Sequence, residues 1–110
     1  MNPEAEYRNL LESRGISLQS PGLTEIALNR VDALLAIDLV RSASISILGG
    51  DVYFNEVTGI VSAYANWHCD PVEGEDRNDF VFRSCRETKD YIESFPSTEE
   101  TPVFVLVIDS

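Results

Sequence analysis

SISILGGDVYFNEVTGIVSAYANW, residues 44–67, is the stretch whose reading decides the fold. Ser44 to Leu48 has the composition of a strand and runs into Gly49-Gly50, a pair that marks a bulge, a turn or a close backbone approach. Asp51 to Val57 resumes an extended pattern, Thr58-Gly59 supplies a turn, and Ile60 to Trp67 returns, which predicts a hairpin. Alternation puts Val52, Phe54, Val61, Ala63, Ala65 and Trp67 on one face. Asp51, Tyr53, Asn55, Ser62, Tyr64 and Asn66 fall on the other. Aromatic hydroxyls and amides suit a recognition surface, because tyrosine is over-represented among binding hot spots. The plainer reading is a solvated sheet face with cross-strand pairs. Trp67 reads as core sooner than as an anchor.

Downstream, Asp70-Pro71-Val72-Glu73-Gly74-Glu75-Asp76 is an acidic loop beside the exit of the hairpin. A flexible loop of this charge can speed encounter with a basic partner; it can equally serve a helix N-terminus. Asp76 and Asp79 have the spacing of an N-cap and third position for a helix running to about Phe95. Phe80, Val81, Cys85, Thr88, Tyr91, Ile92 and Phe95 form its apolar stripe, and Pro96 stops it. Val103 to Ile108 is a continuous apolar run, the pattern of a strand covered on both faces.

Upstream, Asn2 caps a short helix that begins at Pro3, carries Glu4 and Glu6 in its first turn, and ends at Gly15. Its stripe is Tyr7, Leu10 and Leu11. Ser20-Pro21-Gly22 signals a turn and Glu25 to Leu28 a short strand. Asn29, with Asp32 three residues on, caps a helix from about Arg30 to Ser42. That helix is apolar nearly all round, which predicts deep burial, and Asp38 on its oily side is either bonded in the core or lines a groove. These elements give an α+β fold: a small mixed sheet of about four strands, two main helices packed on it, and a short N-terminal helix. The order also permits a ferredoxin-like arrangement. Residues 1–110 read as one domain, as length alone allows.

Nineteen acidic residues against eight basic ones give a formal net charge of −11. Such a surface repels phosphate backbones and anionic membranes, and attracts basic partners. The start lacks a basic-then-apolar leader pattern, and no run is long enough to span a bilayer, so a cytoplasmic protein with reduced thiols is expected. A Cys69–Cys85 bridge would require an oxidising compartment.

His68 is the sole histidine, so any triad or histidine-based metal site would have to include it. Its neighbour Cys69 would point to the opposite face of a strand, and Cys85 lies sixteen residues further on, a poor zinc spacing. No G-x-S-x-G, P-loop or G-x-G-x-x-G pattern occurs. The expectation is a chain without catalysis, cofactor or metal. An enzyme using Asp51, His68 or Asp70, and an acidic regulator mimicking nucleic acid, are the alternatives.

Ala33 to Val40, Ile47-Leu48-Gly49-Gly50-Asp51-Val52-Tyr53, Tyr64-Ala65-Asn66-Trp67 and Asp70 together resemble the bacterial immunity protein 40 family. Ser84, the stretch Thr88 to Ile92 and the closing Phe104 to Ile108 follow in the same order. The resemblance implies a protein encoded beside a polymorphic toxin, which binds the toxin's C-terminal effector domain and neutralises it. It assigns no role to any single residue. The binding candidates therefore rest on the strand and loop readings: Asp51, Tyr53, Asn55, Tyr64, Asn66, Trp67, Asp70, Glu73, Glu75 and Asp76. The expected partner is a protein, with neither nucleic acid nor membrane.

Overall fold

The computed structural model describes residues 2–18 and 25–109. Its elements are α1 (Pro3–Arg14), β1 (Ile16–Ser17), β2 (Ile26–Asn29), α2 (Arg30–Ser42), β3 (Ser46–Glu56), β4 (Gly59–His68), α3 (Arg77–Ser94) and β5 (Pro102–Asp109). The α+β class is as expected. The sheet has five strands in the order β1-β2-β5-β3-β4, where about four were expected, and every pairing is antiparallel instead of mixed. The turn expected at Ser20-Pro21-Gly22 lies outside the described residues.

The helix starts follow from their caps. The Asn2 carboxamide accepts from the Ala5 amide at 2.8 Å, and that of Asn29 from the Asp32 amide at 2.8 Å. The Asp76 carboxylate accepts from the Asn78 amide at 2.7 Å. Each satisfies an amide that the first helical turn would otherwise leave orphaned.

The strand order has a physical reason in β5. Val103, Phe104 and Val105 are buried, so this segment needs cover on both faces and takes the centre beside β3. A ferredoxin-like sheet would instead centre the first and third strands of the β-α-β-β-α-β order, β2 and β4. Phe104 joins Leu28, Val40, Ile47, Val52, Cys85 and Ile92 in the main core beneath α2 and α3. Val103 and Val105 face the other way, into a smaller cluster with Leu18 and Ala27 that Tyr53 and Ile60 extend. Burial of a side chain such as Phe104 stabilises by about 1.5–3 kcal/mol.

α2 departs from the reading of deep burial. Ala33, Ala36, Ile37 and Val40 are enclosed, but Val31 and Leu35 face outward, 76% and 48% exposed. α2 packs against β2 and β5 and is flanked by α1 and α3, which leaves one long side of it uncovered. Asp38 is on that exposed side and lines a groove.

α3 is fixed to the sheet by polar contacts as well as packing. The register between β3 and β5 slips at Leu48, and the neighbouring Ile47 amide donates to the Ser84 hydroxyl at 3.0 Å. Ser84 in turn donates to the Val81 carbonyl at 3.2 Å. Cys69 and Cys85 are both buried free thiols. Burial pushes the Cys85 thiol up to about 11, so it is protonated at neutral pH.

Candidate protein-binding surface

The β3–β4 hairpin has a closed base and an open tip. At the base Gly50 pairs with Trp67 and Gly49 with His68. A β-carbon on Gly50 would run into the Val105 carbonyl and the Trp67 ring, so only glycine admits the indole there. Trp67 is 7% exposed, stacks on Tyr91 at 4.7 Å between ring centroids, and donates its Nε1–H to Thr88 Oγ1 at 2.9 Å. Trp67 was a binding candidate, and this is a correction. Its side chain is held inside the molecule, where a partner cannot reach it.

Towards the tip the helical cover ends at Phe54, whose ring meets Phe95 at 6.4 Å. Beyond it Val57 and Val61 are exposed, although Val61 lies on the helix-facing side of the strand. The pairing passes from Val52 opposite Ala65 to Tyr53 opposite Ser62, so β4 bulges at Ala63 and Tyr64. Two residues are accommodated, the alternation resumes in phase, and the predicted faces hold on either side of the bulge. Tyr64 itself takes φ 54°, its amide donates to the Ser62 hydroxyl at 3.0 Å, and its side chain is 95% exposed.

The remaining hairpin candidates are spread over the open face. Asp51 pairs with Asn66 across the hairpin, and Asn55 with Ile60. Asn55 and Asn66 are exposed and Asp51 is half-buried. Tyr53 is also half-buried, and its hydroxyl donates to the Glu25 carboxylate at 3.5 Å. Desolvation first, and then the charges of Glu25 and Asp51, raise its phenol above the usual range, so it is neutral at pH 7.

Of the two readings of the acidic loop, the structure shows a loop pinned to the start of α3. Arg83 on α3 grips both oxygens of Glu75, Nε and a terminal nitrogen each at 2.8 Å, and donates to the Asp70 carbonyl at 2.6 Å. Glu75 also accepts from the Val72 amide at 3.1 Å. The bidentate Arg83 contact, then the Val72 amide, hold the Glu75 carboxyl down at about 2. Asp76 is occupied as the cap of α3. Of the four loop acids, Asp70 and Glu73 stand free in solvent with no carboxylate contact, and these two can meet a partner.

The structure thus brings Tyr64, Asn55, Asn66, Asp70 and Glu73 to the surface, and places Trp67, Glu75 and Asp76 in the fabric of the fold. Sequence reading missed Val57 and Val61. Their signal was length: a two-stranded arm of eleven and ten residues runs further than one helix layer covers. Among the described residues, no group of three or more His, Cys, Asp or Glu side chains is placed to hold a metal ion. No helix among them is long and apolar enough to cross a membrane.

The model of the family described as immunity protein 40 matches residues 17–108, nearly the whole chain, and the protein belongs to that family. The match begins after α1 and takes in the entire hairpin, the pinned loop and β5 up to Ile108. No curated protein matches the chain, and no solved structure does.

Proposed function

We propose that this member of the immunity protein 40 family neutralises a cognate bacterial polymorphic-toxin effector domain by stoichiometric binding, without any bond-making by its own side chains. The contact surface is the outer part of the β3–β4 hairpin together with the free carboxylates of the adjoining loop. The observation that carries this reading is Tyr64. A tyrosine held at positive φ on an edge strand, with its ring almost wholly in solvent, gives the fold nothing in return for the strain. Such strain collects at functional sites, and an exposed tyrosine is a favoured interface anchor.

Val57 at the turn supplies apolar area near that anchor, and Asn55 and Asn66 on the open face supply adaptable hydrogen bonding. Asp70 and Glu73, exposed and without an ion pair, carry charge that steers a basic toxin surface into register. An interface of ordinary size buries about 1,600 Å², which needs the open sheet face beside the tip and more than the tip alone. The action takes place in the cytoplasm, where Cys69 and Cys85 stay as buried thiols, and residues 1–110 act as one unit.

Co-expression tests the proposal. The C-terminal effector domain encoded beside this protein should arrest growth alone, and growth should return when the protein is supplied. Unrelieved arrest, with both proteins present in soluble form, would contradict it.

A further inference from the structure

The cations of this acidic protein are unevenly used. Arg8 pairs with Glu4, and Arg83 with Glu75 and Glu87. Arg30 donates to the Ile92 carbonyl and to the Ser97 hydroxyl, and Arg77 reaches the Ser44 carbonyl. Among the described residues Arg14, Arg41, Arg86 and Lys89 make no ion pair and no hydrogen bond; Arg14 stands alone at the end of α1, whereas the other three line one groove between α2 and α3. They do so although α3 offers carboxylates one turn on, Asp90 to Arg86 and Glu93 to Lys89. The groove has a volume of about 160 Å³ and contains a single carboxylate, Asp38.

Apolar surface accompanies the charge. Phe82 on the rim is 55% exposed, with the Arg86 guanidinium over its ring at 6.0 Å. On α2, Val31 and Leu35 precede Asp38 in one row of helical spacing, so the exposed apolar band runs into the groove. Scattered exposed apolar residues need no explanation, whereas a band of them edged by unpaired arginines has the composition of an interface.

We infer that the α2–α3 groove docks an acidic, apolar-anchored segment of a second protein, at a surface separate from the toxin-binding hairpin. The helices cover the opposite side of the sheet from Tyr53 and Asp51, so both surfaces can be occupied together. Charge complementarity selects the occupant. Three cations against one carboxylate attract a few carboxylates at short range, and arginine can engage each one bidentately. A net charge of −11 repels a long polyanion, and three cations do not make the continuous basic track that a nucleic acid requires. The segment that fits carries leucine-like anchors at helical spacing with glutamates or aspartates between them.

Fluorescence anisotropy on the intact protein, with no toxin present, tests this. The probe is a labelled synthetic peptide of about fourteen residues, leucines at helical spacing and glutamates between; the same peptide with lysines for glutamates and a single-stranded oligonucleotide serve as comparisons. The glutamate peptide should bind. Arg86→Glu with Lys89→Glu should weaken it at least about tenfold, Phe82→Ala about fivefold, and Tyr64→Gly should have no effect. The milder pair Arg86→Gln with Lys89→Gln should fall between, and unchanged thermal melts should accompany every variant of the groove. Equal binding of the lysine peptide, tighter binding of the oligonucleotide, or indifference to charge reversal would overturn the inference. So would salt-sensitive self-association abolished by Arg86→Glu, since the occupant would then be a second copy.

Discussion

The base and the tip of the β3–β4 hairpin share two strands and one sequence motif, yet they answer to different demands. At the base Gly50, Trp67, Thr88 and Tyr91 interlock: the indole donates to Thr88, stacks on Tyr91 and closes over Gly50. At the tip Tyr64 is thrown outward by a bulge and has no internal partner for its ring. The contrast separates two reasons for which a residue can belong to a motif. Gly-Gly and Trp serve the docking of the hairpin on α3, whereas Tyr64 serves nothing in the isolated fold. Aromatic content alone would have ranked Trp67 above Tyr64 as an anchor; burial reverses the ranking.

Truncation at the base should have the largest effect. Trp67→Ala should destabilise by about 3–5 kcal/mol, because it leaves a cavity and leaves the buried Thr88 hydroxyl only the weak Cys69 thiol contact. Chemical denaturation of the variant measures this, and a loss below about 1 kcal/mol would mean that the base is no more structural than the tip.

The pinned loop belongs with the base, and its signature is pH-dependent. The folded Glu75 carboxyl titrates near 2, below its ordinary 4.5, so the Arg83 contact stabilises the protein above about pH 4.5 and is lost as pH falls towards 2. Glu75→Gln should therefore melt at a lower temperature than the parent at pH 7. The gap should close as both are taken from pH 5 to about pH 2. A gap that persists at low pH would show that the loop is held by something other than this ion pair.

At the tip the sign changes. Tyr64→Gly relieves the positive φ, worth about 1–2 kcal/mol, and adds unfolded-state entropy of opposite effect. Its stability should be equal to the parent's or up to about 1 kcal/mol higher by urea titration. His68→Ala should matter least. The side chain is exposed, and the change should fall within about 0.5 kcal/mol, with growth rescue intact. Loss of rescue in that variant at unchanged stability would favour an enzyme built on the sole imidazole.

Much of this was legible in the sequence because it is local. Period-two alternation gave the hairpin and its faces, and Asn2, Asn29 and Asp76 announced three helices by a chemistry that acts within one turn. What was illegible depends on distant partners. The central place of β5 comes from ladders to β2 and β3, far away in the chain. The bulge at Ala63-Tyr64 lacks a glycine to mark its positive φ. Glu75 looked free because its partner Arg83 lies eight residues on, two turns into α3. Val31 and Leu35 looked buried because apolarity does not say which side of a helix its neighbours cover. Of the candidate site, the open face, the core tendency of Trp67 and the capping role of Asp76 were readable; the outward bulge of Tyr64 and the pinning of Glu75 by Arg83 required coordinates.

The most direct test is the dissociation rate of the complex between the toxin effector domain and Tyr64→Gly, measured beside the parent protein by surface plasmon resonance. Dissociation should accelerate about thirtyfold, as befits an anchor of roughly 2 kcal/mol, while the free variant stays as stable as the parent. An unchanged dissociation rate in a fully folded variant would remove the hairpin tip from the interface.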